Sequence, residues 1–432
     1  MGTTTGGTAM SNEEFLKEAE ALVRSLAFSN ESRESLKRVE HICTAHPQVM
    51  QQGVSRYAFQ HHERRLSMCF YTDDAGRIYA PVRFNSSAEG PPGFAHGGAI
   101  ATSFDTALAL LAAHNSDRIC LTKDLTIFYE SAVKLGEVFL VRCWISSLKG
   151  EQLSVEGDLV TSQRLRLARG KATMFKFPME RAGNAKLPST VEAEAMLLPL
   201  QLEFEREQDR HSTSRNNPPQ ITFPDPSGTL DRFKEWERFS YASEFPGLCE
   251  GDHPAFYGQS QGRHFEFSEF GGTMLLRRFK SPEGKMAGAV YFSQYSEGPP
   301  QIVHGGAIAT ACDAFLADAV YFLDEIVSLT KSLSIKYIRS ISVNSVAYFT
   351  PFETTKVSNR SFFARSSLVN DKGQVYALCM AEFSPRPRAG SRIPITFPQM
   401  RDLVGRTSGL SLEQNREVLL RMVKEAAQQQ RT

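Results

Sequence analysis

Two aspartates stand in alanine- and leucine-rich runs where a carboxylate is out of place. Asp105 lies within residues 96–114, and Asp313 lies at the corresponding point of the run that begins at His304. Taking a carboxylate out of water is costly unless it is paired or hydrogen-bonded. Burial also raises its proton affinity toward that of a working base. Each aspartate follows a His-Gly-Gly triplet, His96-Gly97-Gly98 or His304-Gly305-Gly306. Glycines let a substrate approach the backbone closely. At the start of a helix, unpaired N–H groups and the helix dipole stabilise a developing oxyanion. An amide-lined tip and a buried base suit acyl transfer. The bland alternatives are an Asp satisfied by nearby backbone or hydroxyls, and glycines that only permit a tight turn. Neighbouring residues differ between the runs (Phe104 against Cys312, Thr106 against Ala314) while Asp is kept, which favours chemistry.

Spacing decides how these parts combine. Gly97 and Asp105 are eight residues apart, so on one helix their backbones are about 12 Å apart at about 1.5 Å per residue. One carbonyl cannot meet both at about 3 Å. Each run therefore holds halves of two sites. If the two helices lie side by side and antiparallel, Gly97 faces Asp313 and Gly305 faces Asp105.

The elements that position these residues are themselves duplicated. Residues 89–105 read EGPPGFAHGGAIATSFD and residues 297–313 read EGPPQIVHGGAIATACD, an offset of 208. In the same register Leu121-Thr122-Lys123 recurs as Leu329-Thr330-Lys331. Leu125, Ile127 and Tyr129 recur as Leu333, Ile335 and Tyr337, and Phe175 recurs as Phe383. A repeat of this kind indicates two copies of one domain. In the first copy, Cys69-Phe70-Tyr71, a turn at 73–76 and Ile78 to Phe84 read as a hairpin. The Gly90-Pro91-Pro92 loop cannot be helical. The segment from His96 to about His114 is apolar around nearly its whole circumference, as in a helix buried in a core. Strands are expected over 121–129, 138–146 and, with an internal turn, 153–177. The fold class is α+β: a tandem pair of curled antiparallel sheets, each around a central buried helix, with flanking helices. The expected divisions are an N-terminal helical segment at 1–50, domains at 51–180 and 253–388, a linker at 181–252 that is proline-rich over 208–228, and a helical tail at 389–432.

The flanks read as support. Phe15, Ala19, Leu22 and Leu26 recur at helical spacing, as do Leu36, Val39 and Ile42. Ser411-x-x-Gln414 resembles a capping box opening a last helix through about Ala427. With 49 basic and 48 acidic residues the net charge is +1, which argues against nucleic acid as the main partner. No run of about 18 apolar residues marks a membrane span. The first residues lack a signal core, a transit-peptide composition and a myristoylation signal. Seven scattered cysteines without a C-x-x-C fit reduced thiols. A cytoplasmic location is therefore expected, with a mitochondrial one as the alternative.

The pattern His-Gly-Gly-Ala-Ile-Ala-Thr-x-x-Asp, then a Thr-x-x-Leu strand and an Ile-x-Tyr, resembles the hotdog-fold thioesterase superfamily. It is most similar to the phenylacetate-pathway type and the animal mitochondrial members. The resemblance implies hydrolysis of fatty or aryl acyl-coenzyme A without a further cofactor or metal. It implies Asp105 and Asp313 as base or nucleophile, Gly97 and Gly305 after His96 and His304 as carbonyl-polarising amides, and Thr122 and Thr330 as assistants. Gly98, Gly306, Lys123, Lys331 and Arg339 are the residues expected to hold the coenzyme A portion. Relatives often place a basic pair and Pro after the tyrosine. Here Tyr337 is followed by Ile338-Arg339 and Tyr129 by Glu130. A carboxylate at that point is expected to repel coenzyme A phosphates. Exposed sheet edges imply a homo-oligomer, a dimer of such tandem units.

Competing signals are weaker. Gly258-Gln259-Ser260-Gln261-Gly262 matches the serine-hydrolase pattern but lacks the strand–turn–helix context that motif needs. His61-His62 has no partners at metal spacing. Cys312 reads as a small buried hydrophobe. A hotdog dehydratase needs its His elsewhere. The functional alternative is an idle acyl-CoA or lipid binder, a sensor or scaffold on the same fold, which fold alone does not separate from an enzyme.

Overall fold

The computed structural model describes residues 12–39, 66–176, 237–239 and 274–384, with short breaks at 86–87, 89, 91–92, 117–119, 284, 299–300, 325–328 and 359–360. The expected linker over 208–228, the last helix, Gly258–Gly262 and His61-His62 lie outside the described residues. Two N-terminal helices, α1 (Asn12–Leu26) and α2 (Asn30–Glu34), lead into β1 (Lys37–Arg38). The first repeated unit contains β2 (Leu66–Met68), β3 (Tyr71–Thr72), β4 (Ile78–Phe84), α3 (Gly97–His114), β5 (Cys120–Tyr129), β6 (Val138–Lys149), β7 (Gln152–Val160) and β8 (Arg166–Lys176). After β9 (Glu237–Phe239), the second unit contains β10 (Met274–Lys280), β11 (Met286–Phe292), α4 (Gly305–Asp324), β12 (Leu329–Tyr337), β13 (Ser345–Phe349), β14 (Glu353–Ser358), β15 (Ser361–Val369) and β16 (Val375–Ser384).

The strands form one antiparallel sheet, in which β1-β3-β4-β6-β7-β8-β5 continues into β12-β16-β15-β13-β11-β10-β9. The halves join where β5 pairs with β12, and Thr126 lies opposite Ser334. Their hydroxyl oxygens are 3.1 Å apart. These two residues are each other's counterpart at offset 208, so the seam lies on a pseudo-twofold axis. Alternation explains the burial. Leu125, Ile127, Leu333 and Ile335 point into the core, while Thr126 and Ser334 occupy the other face.

α3 packs on β4 to β8, α4 packs on β11, β12, β15 and β16, and the two helices pack on each other. Helix propensity alone does not hold such a segment; Phe104, Leu108 and Leu111 of α3, all at 0% exposure, and their counterparts Cys312 and Leu316 sink into the same core. Asn115 ends α3 by donating its side-chain amide to the Leu111 carbonyl at 2.9 Å.

The expected α1 face is observed. Phe15, Ala19, Leu22 and Leu26 are buried against Cys69, Tyr71, Tyr79, Val138 and Leu140 on the sheet's other face. The helical spacing at Leu36 and Val39 is overturned, because α2 ends at Glu34 and Lys37-Arg38 pair with Thr72 and Tyr71. Edge pairing there overrides the apolar spacing. Ile42 lies outside the described residues.

Candidate active site

Each helix opens on its His-Gly-Gly triplet. The His96 Nδ1 accepts the Gly98 N–H at 2.9 Å, and the His304 Nδ1 accepts the Gly306 N–H at 2.9 Å. An N-cap is usually Ser, Thr, Asp or Asn; here a ring nitrogen does the task and plants an imidazole at the tip. An accepting Nδ1 implies the tautomer with its proton on Nε2. Burial pushes His96 down to about 4. It lowers His304 as well, with the Asp105 charge opposing. Both rings are therefore neutral near pH 7. The close approaches of Nδ1 to carboxylate, 3.3 Å for His304–Asp105 and 4.0 Å for His96–Asp313, are not ion pairs.

The helices cross antiparallel. A Cβ added to Gly97 would lie 2.7 Å from the Asp313 Oδ2, and one added to Gly305 would lie 2.8 Å from the Asp105 Oδ2. Between these points Gly98 fits against Thr310, and Gly306 fits against Thr102. Any side chain at these four positions would strike the opposite helix, so glycine is required by close approach. Advancing from 97 to 105 along α3 matches receding from 313 to 305 along α4. Each tip thus meets the other half's aspartate, as the spacing argument expects.

Both aspartates are buried, each 4% exposed. The Thr122 hydroxyl donates to the Asp105 Oδ1 at 2.8 Å, and the Thr330 hydroxyl donates to the Asp313 Oδ1 at 2.9 Å. These threonines stand near the start of β5 and β12, beside the middle of the helix in their own half. The other oxygen of each aspartate faces the opposite tip. Burial raises Asp313 to about 6, with the Thr330 bond opposing and the Asp318 charge adding. No partner for the Gly97 or Gly305 N–H is found among the described residues. Each tip therefore offers an amide and the helix's positive end beside a carboxylate.

Sequence reasoning passed over the tyrosines except as markers of the repeat. The Tyr129 hydroxyl donates to the Gly97 carbonyl at 3.0 Å, and the Tyr337 hydroxyl donates to the Gly305 carbonyl at 2.9 Å. Their recurrence in the Ile-x-Tyr of both copies is the signal that could have found them.

The residues expected to bind coenzyme A are more scattered. Gly98 and Gly306 lie within the helix crossing. Lys123 is exposed on β5. The Lys331 Nζ bonds the Glu382 carboxylate at 2.6 Å. Arg339 is exposed and donates to the Val375 carbonyl at 3.0 Å. Glu130 does not stand alone, since the Arg166 Nε lies 3.0 Å from both of its carboxylate oxygens. The repulsion expected from Glu130 is therefore offset by a neighbouring guanidinium. The Cys312 thiol, fully buried, is pushed well up by burial and lies against Cys379, as a packed hydrophobe should.

The model of the thioesterase superfamily matches residues 92–168 and again residues 300–377. Both matches lie within the repeated units, so each unit is similar to the thioesterase superfamily over that stretch. Among curated proteins, the chain is 29% identical over 106 residues to acyl-coenzyme A thioesterase THEM4 of Rattus norvegicus, covering 24% of this chain and 45% of that protein. It is 30% identical over 84 residues to the Xenopus laevis protein of the same name, covering 19% and 37%. The chain therefore spans less than half the length of either relative. Among solved structures, acyl-CoA thioesterase II TesB2 from Mycobacterium marinum aligns with a TM-score of 0.40 at 10% identity, over 75% of this chain and 97% of that one. No helix among the described residues is long and apolar enough to cross a membrane.

Proposed function

We propose that the chain is an acyl-CoA thioesterase, hydrolysing fatty or aryl acyl-coenzyme A to the free acid and coenzyme A at two composite sites. The observation that carries this reading is the repeated juxtaposition of a glycine tip from one half with a threonine-bound, buried aspartate from the other. In the site at the α3 tip, the thioester carbonyl accepts the Gly97 N–H. Asp313 takes a proton from water as the water oxygen bonds the carbonyl carbon, the C–S bond breaks, and the proton passes to the departing thiolate. Direct attack by the carboxylate is the covalent variant of the same arrangement. Thr330 fixes the Asp313 rotamer, and His96 shapes the tip as a neutral cap. Gly305, Asp105, Thr122 and His304 do the same at the α4 tip. The acyl group lies between helix and sheet, which curls around each helix. The cations assigned to the coenzyme A portion are Lys123, Lys331 and Arg339. Coenzyme A arrives with the substrate, and no other cofactor takes part. Two such chains associate through exposed sheet edges.

The test is thiol release from acyl-CoAs of graded length and from phenylacetyl-CoA, read with a thiol-reactive dye. The unmodified chain should release coenzyme A, and the D105N/D313N double variant should lose it. Retained turnover in a folded double variant overturns the site. Tight acyl-CoA binding without turnover in the unmodified chain returns the binder reading.

A further inference from the structure

Resting on the hydrolase reading, we infer that Tyr129 and Tyr337 are positioning residues that hold the glycine tips in the reactive geometry.

A helix opening on two glycines is the least constrained way to start. Gly97 and Gly98 have no Cβ to limit φ and ψ, and the first N–H groups of a helix lack intrahelical partners. Yet the Gly97 amide is the one that must aim at a carbonyl oxygen within a few tenths of an ångström. Something outside the helix must fix the tip. Tyr129 comes from the far end of β5, 32 residues along the chain, and its hydroxyl reaches the Gly97 carbonyl at 3.0 Å. That carbonyl belongs to the peptide whose N–H, that of Gly98, donates to the capping His96 Nδ1. One phenol therefore fixes the peptide plane that also fixes the imidazole.

The phenol also borders the carboxylate. The position of a Gly97 Cβ lies 3.5 Å from the Tyr129 Cζ and 2.7 Å from the Asp313 Oδ2. Phenol and carboxylate thus flank one tip from opposite halves of the molecule. The Asp313 charge acts on Tyr129 too: after burial, it is the second cause holding the phenol well above its usual value. The hydroxyl stays protonated and donating throughout the working pH range. The whole arrangement recurs at Tyr337, whose hydroxyl lies 2.9 Å from the Gly305 carbonyl. Ordinary packing asks for a ring at this place, whereas the hydroxyl is kept and aimed at the same carbonyl in both halves.

Tyr→Phe removes the hydroxyl and keeps the ring. The full chain carrying D105N isolates the α3-tip site, and D105N/Y129F is compared with it; D313N and D313N/Y337F form the mirror pair. We expect kcat to fall about tenfold with KM within twofold, since the tip matters most where charge develops. Amide exchange at Gly98 or Gly306, followed by mass spectrometry, should speed up by at least threefold while the sheet is unchanged. Unchanged kcat, or a loss of kcat with unchanged exchange at the tip, overturns the inference. If the unmodified chain releases no thiol, the hydrolase reading fails, and the exchange measurement alone decides whether the phenols hold the tips.

Discussion

At the tip of α4, Asp105 accepts the Gly306 N–H at 3.0 Å, and the His304 Nδ1 lies 3.3 Å away. At the tip of α3, the imidazole stands off at 4.0 Å from Asp313. The helix behind Asp313 also carries a second buried acid, Asp318, paired with Arg278 on β10. The first half has Leu110 and Phe70 at these positions, both buried and apolar. Thr, Asp, His, Gly and Tyr are the same in the two sites, while the surroundings have drifted. Duplication keeps the groups gathered at the two tips. It lets the charge around them vary, since a buried ion pair and an apolar pair of similar volume are often close in stability. The two sites are therefore chemically alike and electrostatically distinct.

The largest effects come from removing one carboxylate at a time. D313N should reduce turnover at the α3 tip by about 10²–10⁴-fold, the usual worth of a positioned base. It should leave the Asp105 site running, and D105N should do the converse. Steady-state rates of both single variants on one acyl-CoA check this. Abolition of all turnover by either one breaks the two-site comparison. Next in size is Asp318→Leu, which strands the buried Arg278. It should cost about 3–5 kcal/mol, measured by urea unfolding. Gly97→Ala in the D105N background places a methyl against the Asp313 carboxylate. A displacement near 1 Å can cost about 100-fold, so kcat should fall sharply; Gly305→Ala in the D313N background is its partner experiment.

The smallest effects concern protons. With D105N isolating the α3 tip, kcat/KM should fall as pH drops through about 6, where Asp313 takes its proton, and should level off above it. The same displacement bears on stability. The folded value exceeds the unfolded one of about 3.9, so ionisation opposes folding above about pH 6, and this penalty is absent below about pH 4. D313N should therefore stabilise the chain by about 1–3 kcal/mol at pH 7, at about 1.4 kcal/mol per unit, and the gain should vanish in acid. Paired unfolding curves at the two pH values test the sign.

Much of the fold was legible in advance. The repeat, the helix from His96 to His114, the strands over 121–129 and 138–146, and the facing of each glycine tip by the other half's aspartate all followed from residue pattern and the rise of a helix. Strand pairing at Lys37-Arg38 did not, because a two-residue edge strand leaves no periodicity to read. Nor did the imidazole caps, since His is an uncommon N-cap. The roles of Tyr129 and Tyr337 were hidden because a tyrosine in a strand usually signals packing.

The sequence by itself determined two things: that two like units exist, and that neither can bring its own glycines to its own aspartate, because both lie on one rigid rod. Only the tertiary structure decided which groups stand beside which. The antiparallel crossing of α3 on α4 is set by close approach at Gly98 and Gly306. The join of β5 to β12 turns two units into one sheet. The pairing of Glu130 with Arg166 and of Asp318 with Arg278 arises between strands and helices far apart in the chain. Local pattern fixes what each segment is, but charge acts through space, and the electrostatic difference between the two sites exists only once the chain has folded.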